Sequence, residues 1–122
     1  METPRISDAE WDVMQILWRK SPATAKDIID QLSVTHEWSP TTIKTLISRL
    51  VKKRAVTYEA KGKTYYYSPA VSEKECYRAE RRSFLQRLYK GSLAPMLMHF
   101  LEDEPLTKEE IEELKKILDE KV

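Results

Sequence analysis

One cysteine, two glycines and two histidines in 122 residues leave few groups from which chemistry could be built. The lone Cys76 excludes an intramolecular disulfide and any zinc site made of several thiolates. With only Gly62 and Gly91, no glycine-rich loop can cradle a phosphate. His36 and His99 are too few and too scattered for a metal site, and no Ser/His/Asp set or paired-carboxylate pocket can be assembled. No metal, cofactor, small-molecule substrate or enzymatic activity is therefore expected. Nor is there an apolar run long enough to span a bilayer, or a basic segment followed by an apolar one at the start, so the expected location is the cytoplasm.

Acids are missing from one stretch in particular, Ser39 to Arg54. Ser39 can cap the free N–H groups of a first helical turn, and Pro40 at the first helical position gives up an N–H that had no partner. Ile43, Leu46, Ile47, Leu50 and Val51 recur at i, i+3, i+4, i+7 and i+8, one apolar stripe of a helix. The other side presents Thr41, Lys44, Thr45, Ser48, Arg49 and Lys52, with Thr42 in the first turn. An ordinary solvated face mixes signs to gain i,i+4 pairs. A face of hydroxyls and cations without a carboxylate fits a polyanion better. Residues 39–63 hold seven cations against one acid, whereas residues 71–122 hold ten against twelve, so the overall charge of +1 conceals a local basic footprint.

The flanking segments give that helix a context. Residues 1–6 carry no pattern and are expected to be a frayed start. Ser7-Asp8-Ala9-Glu10 is a capping box, and Trp11, Val13, Met14, Leu17 and Trp18 give a broad apolar face to a first helix over about 8–19. Ser21-Pro22-Ala23 breaks it. Thr24 caps a second helix carrying Ala25, Ile28, Ile29 and Leu32 at helical spacing, and residues 33–38 connect it to the third, with Trp38 placed to staple its start. After Arg54 the period changes to two. Val56, Tyr58 and Ala60 alternate with Thr57, Glu59 and Lys61, then Gly62 precedes Lys63-Thr64-Tyr65-Tyr66-Tyr67-Ser68. This predicts a β-hairpin with Lys61 and Lys63 flanking its tip, one or two of the tyrosines packing on the helices, and Tyr65 or Tyr67 placed to touch a nucleic-acid backbone. Three helices, the third basic, followed by a basic hairpin is the order of a winged helix-turn-helix over residues 1–70.

Residues 71–122 return to helical spacing. Ser72-Glu73-Lys74-Glu75 is a second capping box, with Val71 and Cys76 placed as a staple around it; the helix it opens runs to about Lys90, where Gly91 is a natural stop. A buried structural thiol is the expected role of Cys76. A next helix from Ser92 carries Leu93, Met96, Leu97, Phe100 and Leu101. A third box, Thr107-Lys108-Glu109-Glu110, opens a last helix with Ile111, Leu114, Ile117 and Leu118 on one side. Three short amphipathic helices without a disulfide or metal lie near the size limit for independent folding. The expectation is a homodimerisation region in which Phe84, Leu88, Leu93, Met96, Leu97, Phe100, Leu101, Ile111, Leu114 and Leu118 pack against a second copy. The fold class is thus mainly α with a small β-hairpin (α+β), a winged helix followed by a three-helix dimerisation region.

Ala9-Glu10-Trp11-Asp12-Val13-Met14, the third-helix run Trp38 to Leu50 and Ile111-Glu112-Glu113-Leu114 resemble the BlaI/MecI family of bacterial penicillinase and methicillin-resistance repressors, over about residues 6–120. The resemblance implies a dimeric transcriptional repressor on a palindromic operator of double-stranded DNA at a β-lactamase-type or related promoter. By position, base reading falls on Thr41, Lys44, Thr45 and Arg49. Lysine stands at 44 where the family usually has arginine, and lysine lacks the flat fork that grips guanine with two bonds. The resemblance further implies a membrane-bound sensor metalloprotease as a partner, acting directly or indirectly, with induction cleavage between His99 and Phe100; His99 stands where the familiar repressors have asparagine. Apart from the resemblance, two readings stay open: an operator-binding repressor, and a winged helix whose basic face docks an acidic protein without binding DNA.

Overall fold

The structure is a computed structural model that describes residues 3–122. Its elements are α1 (Asp8–Arg19), α2 (Ala25–Thr35), α3 (Pro40–Lys52), β1 (Val56–Lys61), β2 (Thr64–Pro69), α4 (Glu73–Tyr89), α5 (Leu93–Asp103) and α6 (Lys108–Glu120). The fold is mainly helical with one antiparallel hairpin. The chain divides into two compact units between Arg81 and Arg82. That division falls inside α4, beyond residue 70, where the sequence suggested a boundary. The first turns of α4 pack on the first unit, where Cys76 is 2% exposed within the core and Tyr77 meets Trp11 edge-on at 5.1 Å.

In the first unit, α1, α2 and α3 each turn their apolar stripe inward. Val13, Met14 and Leu17 of α1, Ile28 and Leu32 of α2, and Ile43, Leu46, Ile47 and Leu50 of α3 form one cluster with Ala55, Val56 and Cys76. Burying each Leu or Ile side chain favours folding by about 1.5–3 kcal/mol. Trp11 and Trp18 lie at the margin of this core and meet edge-on at 5.6 Å, and the Trp18 indole N–H donates to the Val71 carbonyl at 3.0 Å. Ile6 also belongs to the core and the Arg5 carbonyl accepts a bond from Lys53, so residues 5 and 6 are not frayed. Residues 1 and 2 lie outside the described residues.

Caps fix the helix ends. Reciprocal capping boxes stand at Ser7/Glu10, Thr24/Asp27 and Thr107/Glu110, so the Thr24 cap expected from the sequence has a partner in Asp27. The box expected at Ser72 is present by half, since the Ser72 hydroxyl accepts from the Glu75 N–H at 3.1 Å. At the end of α3 the Ala55 N–H reaches the Leu50 carbonyl and the Arg54 N–H reaches that of Val51, both at 3.0 Å, which is a Schellman closure. Arg54 makes it at φ 65, a conformation that suits glycine better.

β1 and β2 pair in register from Val56 opposite Pro69 to Lys61 opposite Thr64. Gly62, the first of the two loop residues, has φ 65, the sign that a type II′ hairpin turn assigns to glycine at this position. The base of the hairpin is tied to the helices, because Tyr67 exchanges two backbone hydrogen bonds with Ala23, at 2.8 and 2.9 Å.

The second unit, residues 82–122, is differently built. Neither α5 nor α6 contains a buried residue. Phe84 and Phe100 stack at 5.9 Å, and Tyr89 and His99 share a hydrogen bond of 3.3 Å between the phenol oxygen and Nδ1. Leu88, Leu93, Phe100, Leu101, Ile111, Ile117 and Leu118 are exposed, and Phe84, Met96, Leu97 and Leu114 are partly so.

Candidate nucleic-acid interface

The core cluster decides which side of α3 faces outward. With Ile43, Leu46, Ile47 and Leu50 buried, Thr41, Thr45, Ser48 and Lys52 follow one another down the opposite side at i, i+4, i+7 and i+11, flanked by Lys44 and Arg49. All six are exposed, as is Thr42. Among the described residues, no carboxylate lies within 4.0 Å of Lys44, Arg49 or Lys52.

The hydroxyls are partly committed. The Ser39 hydroxyl accepts from the Thr42 N–H at 3.2 Å and contacts the Thr42 hydroxyl at 3.0 Å, so Thr42 belongs to the cap as much as to the surface. Thr45 donates to the Thr41 carbonyl at 2.9 Å, which leaves its lone pairs facing outward. At the hairpin, Lys61 sits over the Tyr66 ring at 5.4 Å, with Lys63 exposed beside Gly62. A lysine held by a ring face keeps its charge while losing some freedom.

Lys53, one of the seven cations of this stretch, is turned away from that surface. Its ammonium pairs with the Glu10 carboxylate and donates to the Arg5 carbonyl at 3.0 Å. Glu10 is 1% exposed, and its Oε2 has no hydrogen-bond partner among the described residues. Burial pushes the carboxyl up, but the Lys53 ammonium and the N–H and hydroxyl of Ser7 together hold it below the usual range. The pair was legible in principle. Glu10 precedes Val13, Met14 and Leu17 by three, four and seven positions, so it stands on the buried stripe of α1 and needs a cation.

A second unforeseen link positions the start of α3. His36 Nε2 lies 3.3 Å from Asp12 Oδ2, its Nδ1 is 2.8 Å from the Thr35 hydroxyl, and its ring lies against that of Trp38, with centroids 4.1 Å apart and planes tilted by 31°. The connector between α2 and α3 is thereby pinned to α1, with Trp38 packed on the core just before the Ser39 cap. Cys76 takes no part in the surface, since burial pushes its thiol up to about 11, which leaves it protonated and inert at neutral pH.

The family model described as penicillinase repressor matches residues 6–120. The chain is similar to a penicillinase repressor of Bacillus licheniformis, with 42% identity over 117 residues, 96% of this chain and 91% of that protein. It is also similar to the methicillin resistance regulatory protein MecI of Mammaliicoccus sciuri, with 39% identity over 120 residues and 98% of each chain. Among solved structures it resembles the DNA binding domain of the repressor BlaI, at 39% identity and a TM-score of 0.55 over 62% of this chain and 93% of that one. The Bacillus licheniformis BlaI monomeric form in complex with the blaP half-operator gives 39% identity and a TM-score of 0.54 over the same shares.

Proposed function

The chain belongs to the penicillinase repressor family, and on that premise we propose that it is a dimeric repressor that binds a palindromic operator through α3 and the hairpin tip. The observation that carries the reading is the exposed face of α3, on which Lys44, Arg49 and Lys52 stand without an acid partner among the described residues. A duplex supplies the missing negative charge, and a helix of this width fits the major groove. The half-operator bound by the BlaI relative supports assigning one half-site to each first unit.

In this reading Arg49, Lys44, Thr41 and Thr45 meet base edges, while Thr42, Ser48, Lys52, Lys61 and Lys63 meet phosphates and fix the register. The uncovered apolar residues of the second unit support dimerisation: Phe84, Leu88, Leu93, Met96, Leu97, Phe100, Leu101, Ile111, Leu114 and Leu118 would be covered by their counterparts. Both the boundary expected at residues 70 and 71 and the division of the compact units between Arg81 and Arg82 fall between these two roles in the chain. Induction by a membrane-bound sensor metalloprotease that cuts at His99–Phe100 rests on the family resemblance alone. Mass spectrometry of the chain co-expressed with such a sensor and its inducer tests it; an intact chain sinks this part.

DNA binding is tested by titrating palindromic and scrambled duplexes across a salt series. Arg49→Ala should weaken operator binding by about tenfold or more while sparing the scrambled duplex, the size expected of a lost base contact. Lys61→Ala should weaken both duplexes alike and reduce the salt slope by about one unit. If both variants bind as the wild-type chain does, the surface is not a DNA interface and the protein-docking alternative gains.

A further inference from the structure

The proposed contacts use cations and hydroxyls, yet the hairpin also carries an aromatic face that they leave unused. The register places Tyr58 opposite Tyr67 and Ala60 opposite Tyr65, so these side chains share one side of the hairpin, while Glu59, Lys61 and Tyr66 share the other. Tyr58 and Tyr65 are in contact at 4.8 Å with their planes 32° apart, and Tyr67 lies 6.1 and 6.4 Å from them. Their burial is graded along the hairpin. Val56, on the same side at the base, is 2% exposed and Tyr67 packs against the core, whereas Tyr58 and Tyr65 remain 49% and 48% exposed. Core packing thus accounts for Tyr67 but not for the other two.

We propose that Tyr58 and Tyr65 form a non-ionic contact surface for the sugar–phosphate edge of duplex DNA next to the hairpin tip. The proposal rests on the DNA-binding reading above and deepens it. Two features favour a nucleic acid over an apolar partner. The rings lead up to the tip at Gly62 and Lys63, where a polyanion is drawn in, and the one acid of the hairpin, Glu59, is on the other side, where Lys61 accompanies it. Their chemistry also suits the target, because a phenol offers a flat apolar ring for deoxyribose carbons and an O–H that can donate to a phosphate oxygen. A contact of this kind releases no counterions, so it adds affinity without adding to the salt dependence.

The intact chain can be probed without mutation, by acetylating its tyrosines with N-acetylimidazole and reading each site by mass spectrometry. Operator duplex should protect Tyr58 and Tyr65 at least about threefold, with Tyr77 as an internal control. In parallel, Tyr65→Ala and Tyr58→Ala should each weaken binding about fivefold at every salt concentration with an unchanged salt slope, the scale of a truncated contact aromatic. Tyr65→Phe should retain most of the affinity, and thermal melting reports whether each variant is folded. Unprotected tyrosines in a chain that binds duplex would overturn the proposal and leave the cationic interface standing. Protection that rises with protein concentration in the absence of DNA would overturn it in favour of a second copy on this face. A wild-type chain that binds no duplex would overturn the underlying reading itself.

Discussion

The two units of this chain satisfy their apolar residues in different ways. In the first, α1, α2 and α3 close on one another, and Val13, Met14, Leu17, Ile28, Ile43 and Leu50 lose essentially all contact with water. In the second, α5 and α6 bury nothing completely, and Leu101 and Leu118 remain 46% and 52% exposed. A single chain therefore holds a finished core in one unit and uncovered apolar faces in the other. The same strength of amphipathic pattern can serve internal packing or wait for an external partner, and helical spacing alone does not tell which. The lesson extends to charge. Lys53 and Lys52 are neighbours in sequence, yet the first neutralises a buried carboxylate while the second stands exposed on the α3 face.

Substitutions should sharpen this contrast. The largest effect on unfolding is expected for Leu17→Ala, where a side chain 0% exposed leaves a cavity: about 3 kcal/mol in denaturant unfolding. The matching change in the second unit, Leu101→Ala, should alter the unfolding of the dilute chain by less than about 0.5 kcal/mol but raise the dissociation constant of the proposed dimer. Equal losses at both positions would erase the distinction between the units.

Lys53→Met comes next. It leaves Glu10 buried beside an apolar side chain and should cost about 2 kcal/mol, less than a fully buried pair because the Lys53 side chain is 37% exposed. Its pH signature is more telling than its size. Glu10 has a folded-state pKa below its unfolded value, so its contribution is present above about pH 4.5 and is lost as the pH falls through the lower, folded value. Once the ammonium is gone, burial works against the carboxylate with less opposition, and the variant should lose less stability than the wild-type chain on acidification. An identical acid limb in both would contradict the assignment. The smallest effect is a gain. Arg54→Gly relieves a positive φ at the end of α3 and should stabilise the first unit by about 0.5–1 kcal/mol in thermal unfolding, while removing one cation near the proposed interface.

Much of this was legible in the sequence because local rules and the global fold agree. Capping boxes at Ser7 and Thr107, the stripe of α3, the change of period after Arg54 and the Gly62 turn each depend on neighbours within a few residues, and each appears in the structure. The family resemblance drawn from the α1 and α3 motifs likewise agrees with the match over residues 6–120. What escaped depends on pairs far apart in the chain. Glu10 and Lys53, Asp12 and His36, and Ala23 and Tyr67 meet only after the helices have packed. For Glu10 the clue was a carboxylate on an apolar stripe, and for Ile6 it was an apolar residue just before a cap. For Ala23 no local signal exists, since its bond to Tyr67 arises from where the hairpin returns.

The unequal completeness of the two units meets the cationic face of α3 in one experiment: sedimentation equilibrium of the intact chain, alone and with a palindromic duplex of two half-sites. The expected result is a two-chain species at micromolar protein and a complex of two chains on one duplex, weakened steeply by salt. A chain that sediments as a single copy throughout and leaves every twofold-symmetric duplex unbound would contradict it.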